Sequence, residues 1–308
     1  MGLDFFNKLV FLPKYELFIN GKLINKNNIT KIDISDEIDN MADSISVSTT
    51  KEIEPPKEND EIMLYAGREV LIFMGSYYVS STTITDQRLS FKASGLNLNS
   101  TLKSKKNRAW EKIKICSIVD TIAKSHKLKS KCSCDDFIHH EAQTSESDIS
   151  FLSRLAKERN MTFSIKNKTI IFWDKSKEIV PIYLCNIKEA TSYSIENNFK
   201  AKYKKATLKY QDSKTKKSIE LSVGSGEPIL ELSGNFKDKS QAKKYARDKL
   251  NNTNKGTIRG NISREFSPLA MAGGKIEIIN TLYNNGEYHI KKVSHSLLAG
   301  TTKIEFEA

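Results

Sequence analysis

"QTSESDISFLSRLAKERNMTFSI", residues 143–165, sets out a helix followed by a hairpin, and it carries no obvious reactive group. Ser145 and Asp148 have the S-x-x-D spacing of a capping box, in which each side chain satisfies backbone N–H groups left over by the first helical turn. A helix is therefore predicted to start there. Ile149, Leu152, Leu155 and Ala156 recur at three- and four-residue spacing, while Arg154, Lys157, Glu158 and Arg159 fall mostly on the opposite side, so one face is buried and one is wet. Asn160 can close the helix in a left-handed conformation. Met161–Ile165 and Thr169–Trp173 then alternate or run apolar around the turn Lys166-Asn167-Lys168, which predicts two paired strands.

Working outward, 308 residues suffice for two or three domains with sizeable cores. With 38% hydrophobic residues, 28% charged residues and only six prolines, the chain is neither linker-dominated nor collagen-like. The formal charge of +12 is the one skew. It admits an acidic partner or nucleic acid, but no zinc finger, RNA-recognition motif or similar module accompanies it, so a solvated face is the favoured reading. Four cysteines, at 116, 132, 134 and 185, do not make a disulfide framework in a chain this long, and reduced thiols are expected. The apolar run Leu9–Leu12 is too short to span a membrane and lacks the features of a signal peptide, which predicts a protein made and kept in the cytoplasm unless a larger assembly carries it out.

The expected fold class is mainly β with an α+β insert. Tyr15–Ile19 meets Asn20-Gly21, a strong hairpin signal, and continues through Lys22–Ile24. Ser44–Ser48, Glu61–Tyr65, Val70–Met74 and Arg88–Ala93 are further short strands at a spacing that argues for a barrel or sandwich. The composition then changes, with the basic run Lys103–Arg108 just ahead of Trp110. Ser117 and Asp120 repeat the capping-box spacing before the apolar stripe Ile118, Val119, Ile122 and Ala123, which predicts a second helix ending near His126. Lys129–Asp136 reads as a loop. β signals return over Tyr183–Val223, with Phe199, Ala201 and Tyr203 alternating with Lys200, Lys202 and Lys204. Gly224–Gly234 reads as a glycine-punctuated loop, Ser240–Leu250 as a helix, and the rest as strands, including Lys275–Ile279, Tyr288–Ile290 and Thr302–Glu307.

Candidate chemistry is sparse. Cys132-Ser-Cys134 with His139 and His140 offers ligand types zinc prefers, but the spacing fits no familiar motif. His140-Glu141 begins an H-E-x-x-H pattern whose second histidine would fall at Thr144, which cannot ligate as required. The acidic pairs Asp135/Asp136 and Glu146/Asp148 have the residue types of a glycosidase, yet loop solvation and helix capping explain them more simply. Gly224-Ser-Gly226 is no nucleophile elbow, and no phosphate loop is present. No catalytic, cofactor-binding or metal-binding residue is expected.

Glu146-Ser-Asp-Ile-Ser-Phe-Leu-Ser-Arg-Leu-Ala156 resembles the E-S-D-x-x-F-L-x-R-L-A pattern of phage late control protein D and the wider baseplate-hub group that includes the VgrG spikes of type VI secretion. Leu102–Trp110 with the helix Ser117–Ala123 is similar to that family's basic-Trp segment and following helix. Gln241–Leu250, Gly260–Ser263, Ala272–Gly274, Gly286–Ile290, Val293–Leu297 and Gly300–Glu307 are similar to its C-terminal part. The resemblance implies two related β-barrel domains near the chain ends flanking inserted modules: 1–100 an N-terminal barrel, 101–176 an α/β module, 177–235 a β-rich module, and 236–308 a helix plus the C-terminal barrel. It further implies a homotrimeric structural hub of a contractile tail, joining a sixfold tail tube or tube initiator to a threefold spike and touching other baseplate proteins. VgrG-type chains continue into a fused needle; this sequence ends at Ala308, so the spike is expected to be a separate protein and no lysozyme domain is expected. Two other readings are a tail-associated peptidoglycan hydrolase working through the acids between residues 132 and 148, and a nucleic-acid binder using Lys200, Lys202, Lys204, Lys214, Lys216 and Lys217; direct nucleic-acid binding is disfavoured.

Overall fold

The computed structural model describes residues 12–38, 42–97, 101–134, 136–159, 161–174, 182–198, 202–212, 217–236, 239–254 and 258–308. Strand β1 (Lys14–Ile19) turns through Asn20 and Gly21, whose φ angles of 49° and 77° give the left-handed pair a tight hairpin requires, into β2 (Lys22–Leu23). β3 (Ile29–Glu37), β4 (Ser44–Thr49), β5 (Glu61–Gly67), β6 (Ile72–Ile84) and β7 (Leu89–Ser94) follow. All pair antiparallel in the order β3-β4-β7-β6-β5-β1-β2. Period-two alternation turns Ile32, Ile34, Val47, Leu64, Tyr77 and Phe91 to one side, where they form a single core.

The middle of the chain holds β8 (Lys105–Lys114), α1 (Ile115–Ser125), β9 (Lys129–Ser133), β10 (Phe137–Ser147), α2 (Asp148–Glu158), β11 (Met161–Lys166) and β12 (Thr169–Asp174). β8 and β10 make a two-stranded antiparallel ribbon; β11, β12 and β9 make a small mixed sheet with β9 parallel to β12. An eleven-residue helix is marginal in isolation. α2 is held because Ile149, Phe151, Leu152 and Leu155 are buried, each contributing about 1.5–3 kcal/mol. The β11–β12 turn runs through Asn167 and Lys168, both left-handed, as the hairpin pattern requires.

Next come β13 (Ile182–Asn186), β14 (Ser192–Asn197), β15 (Lys205–Asp212), β16 (Ser218–Gly224), β17 (Ile229–Phe236) and α3 (Lys239–Thr253). They are followed by β18 (Ile258–Glu265), β19 (Lys275–Ile279), β20 (Gly286–Ser296) and β21 (Thr301–Glu307). β15, β16 and β17 form a three-stranded sheet under α3, which buries Ala242, Ala246 and Leu250 against it. The remaining strands extend the N-terminal sheet. β20 pairs with β19 through its first residues, then with β3 through Lys292–Ser296, so thirteen strands form one sheet from β2 to β14. The C-terminal half has its own core of Ile262, Ile276, Ile278, Tyr288, Val293 and Phe306.

The chain is thus mainly β with an α+β insert, and the two barrel-like units expected near its ends are two halves of one continuous sheet, each with a core. Among the described residues the ladder is an open path, ending at β2 and β14, with a branch that ends at β13. β13 and β14 join the C-terminal sheet, whereas α3 packs on β15–β17.

Several local expectations are corrected. The capping box at Ser145 does not form: Ser145 is a left-handed residue in the bulge of β10, the strand continues to Ser147, and Ser147 is the N-cap, its Oγ accepting from the Ser150 N–H at 3.1 Å. Ser117 lies inside the first turn of α1, which starts at Ile115 after Lys114 with no side-chain cap. Lys129–Ser133 is a strand rather than a loop, because α1 packs over it. Most of Gly224–Gly234 is β17, parallel to β15 after a cis Glu227–Pro228 bond. Lys202–Lys204 precedes β15 instead of belonging to a strand. Phe199, Lys200, Ala201, Asn160, Lys214, Lys216, Asp135 and the run Leu9–Phe11 lie outside the described residues.

Candidate functional site

The acidic helix motif and the basic-Trp segment, 40 residues apart, meet in the middle module. Asp148 is fully buried at the start of α2. Its Oδ2 accepts from Lys106 Nζ at 2.5 Å and faces His126 Nε2 at 2.7 Å and Arg108 at 3.4 Å, while Oδ1 accepts from Gln143 Nε2 at 2.9 Å. Burial alone would raise this carboxyl, but the hydrogen bonds from His126, Lys106 and Gln143 and the charge of Arg108 hold it below the usual carboxylate range. Further along the helix, Arg154 donates to Glu146 at 3.1–3.3 Å, to Glu141 at 2.8 Å and to the Ala142 carbonyl at 3.0 Å. The hydrogen bonds to Glu146, then those to Glu141, hold the guanidinium still more firmly protonated. Phe151 stacks on Trp110 with centroids 6.1 Å apart and planes 18° apart, and Arg108 lies over the same indole. Asp148, Arg154 and Glu146 of the motif therefore brace α2 against the β8–β10 ribbon.

Glu146 and Asp148 of the acidic pair are each engaged by cations, Glu146 by Arg154 and Asp148 by Lys106 and Arg108. Asp136 pairs with Lys244 of α3 at 2.5 Å and with Arg159 at 3.6 Å. His140 faces Glu111 at 3.3 Å on the exposed side of the ribbon, and nothing is described of the His139 side chain. Of the lysines proposed for nucleic acid, Lys202, Lys204 and Lys217 are exposed. The cysteines depart from expectation: Cys116 and Cys132 form a disulfide, since the first turn of α1 lies against β9 and brings their Cα atoms to 5.5 Å. Cys134 Sγ lies 3.7 Å from Cys116 Sγ. Cys116 had no partner in any motif; only the packing of α1 on β9 reveals it.

A second polar cluster joins the middle module to both halves of the large sheet. Lys166, at the tip of the β11–β12 hairpin, reaches Asp36 of β3 at 2.5 Å and Asp43 at 3.9 Å, and Asp36 also accepts from the Ala272 N–H at 2.9 Å. Burial, helped by the negative charge of Asp36, pushes the Asp43 carboxyl up to about 8 against the pull of Lys166. Apolar side chains stand exposed nearby and elsewhere: Val70, Ile72 and Phe73; Leu269 and Met271; Ile182 and Leu184 on β13 and Tyr193 on β14, the open strands; and Leu282 and Tyr283, 90% and 89% exposed. Exposed apolar groups and unpaired sheet edges are features of surfaces that meet other chains.

Residues 98–300 match the phage tail baseplate hub (GPD) family. The chain belongs to that family. The hub is 26% identical over 174 residues to the probable baseplate hub protein of Escherichia phage 186, a match covering 52% of this chain and 44% of that relative, less than half its length. Its fold is similar to the tail protein from Neisseria meningitidis MC58, with a TM-score of 0.75 at 11% identity over 97% of both chains. It is also similar to a chain of the half-lidded Francisella PdpA–VgrG complex, with a TM-score of 0.56 at 9% identity over 98% of the hub and 59% of that chain. By its family the chain is a phage tail baseplate hub protein. Among its described residues no helix is long and apolar enough to cross a membrane.

Proposed function

We propose that this baseplate hub protein acts as a homotrimer that adapts a sixfold tail tube to a threefold spike. The observation that carries the reading is the single sheet with two halves, each with its own core, joined through β3 and β20. Three such chains present six β units around an axis while keeping threefold symmetry. On this reading the halves form the ring, the middle module and the α3-capped sheet stand outside it, and the exposed edges β13 and β14 with Leu282 and Tyr283 lie where neighbours pack. The partners are a spike protein on one side, a tube or tube-initiator protein on the other, and further baseplate proteins around; assembly takes place in the host cytoplasm. The protein works without catalysis, which agrees with Glu141, Glu146 and Asp148 being engaged in ion pairs.

Light scattering of the purified chain, alone and with a candidate spike protein, tests the assembly. A threefold species, formed alone or through the mass action of the partner, is expected. A stable dimer under both conditions would overturn the adaptor. Zymography on peptidoglycan is expected to show no clearing; clearing lost on Glu141→Gln would replace the structural reading with a hydrolase.

A further inference from the structure

The chemistry that the hub role leaves unused is the group of three sulfurs at the start of α1. Cys116 sits in the first turn of that helix, Cys132 in β9, and Cys134 just beyond β9. Cys134 Sγ is 3.7 Å from Cys116 Sγ and 4.0 Å from Cys132 Sγ, and the three sulfurs lie within 4.8 Å of one another, each half-buried. A thiol poised to attack the disulfide along its axis would be nearer one sulfur than the other by about a bond length, ~2 Å. Here the difference is 4.0 − 3.7 = 0.3 Å, so Cys134 stands beside the bond and caps it. Thiolates sharing a tetrahedral ion at ~2.3 Å each are about 3.8 Å apart. Two of the three edges of such a site are therefore already in place, and only the Cys116–Cys132 edge has to open.

Cys132-Ser-Cys134 supplies two of the donors from one short stretch fixed by the pairing of β9 with β12.

We propose that the hub carries a redox-gated soft-metal site, in which Cys116, Cys132 and Cys134 bind one zinc ion once the disulfide is reduced. A dithiol or a phosphine supplies two electrons to the Cys116–Cys132 bond, which breaks to two thiols; the dithiol gives up its two protons and leaves as its own disulfide, whereas with the phosphine one water supplies both protons and the oxygen of the phosphine oxide. Zinc then displaces the protons of the three thiols and takes water in its fourth position. The first turn of α1 is tied to β9 in both states, by a covalent bond when oxidised and by the ion when reduced.

The test uses the full chain, reduced with a phosphine, freed of reductant without air, and titrated with cobalt(II). One equivalent is expected to give the thiolate-to-metal charge-transfer and visible bands of a tetrahedral site, abolished by zinc. The oxidised chain should show neither. Cys134→Ser keeps the disulfide pair, so its oxidised form reports on folding by near-ultraviolet circular dichroism, and its reduced form should bind the ion more weakly by about tenfold or more. Cys185→Ser, in the C-terminal core, should bind as the parent does. Absence of the bands in the reduced parent, or equal affinity in Cys134→Ser, would overturn the site.

Discussion

Asp148 shows how a residue can be conspicuous in sequence and silent in chemistry. Its place beside Ser147 at a helix start reads as a capping carboxylate, whereas its oxygens face Lys106, Arg108, His126 and Gln143. Replacing it by Asn leaves two cations without their counter-charge in a buried place, which costs about 3–5 kcal/mol. Asp148→Asn should therefore lower the thermal midpoint by many degrees while barely changing the far-ultraviolet spectrum of what remains folded. Because the folded carboxyl is held below its ordinary value, its stabilising contribution is present above about pH 4 and is lost as pH falls through the depressed folded value. Parent and Asp148→Asn should accordingly converge in acid, and unfolding followed from pH 7 to pH 2 checks it. The motif is legible in the sequence but its partners are not, since Lys106, Arg108 and His126 are brought in only by the ribbon and by the end of α1.

At the scale of elements, legibility followed amphipathicity. α2, the β11–β12 hairpin and the Asn20-Gly21 turn are readable because burial is one-sided or the turn chemistry is unambiguous. β8 and β10 are not, because a two-stranded ribbon rich in Lys, Glu, His and Ser buries little beyond Trp110, Ile138 and Gln143 and leaves no clean period-two stripe. The Lys166 tip of β11–β12 docks on β3 through Asp36 and just before β4 through Asp43. With the Asp43 carboxyl pushed up to about 8, the folded chain holds a proton there that the unfolded chain has lost above about pH 4; stability from this group is full in acid and drains away as pH rises through about 8. Asp43→Asn cannot titrate. Its thermal midpoint relative to the parent should shift in its favour by a few degrees between pH 5.5 and pH 8.5, and an unchanged gap would refute the assignment.

Across the whole molecule, the β content at both ends and the family were legible, but the union of the two halves was not. β3 escapes a strand reading because Ile29–Glu37 mixes isoleucine with Lys and Asp, and its pairing with β20 spans more than 250 residues of sequence. The same union places Phe266 and Leu297, from the C-terminal part, inside the N-terminal core. Phe266→Ala should destabilise by about 3–5 kcal/mol, and hydrogen exchange should register the loss in β1, β5 and β6 as well as beside the mutated residue. If only the C-terminal strands lose protection, the shared core is wrong. There is also a consequence for synthesis. A nascent chain that has not yet exposed β20 beyond the ribosome holds β3 with one edge unpaired and a core lacking two of its side chains, so the first half to be translated is among the last to settle, and its bare edge must escape capture by other chains until the final strands emerge.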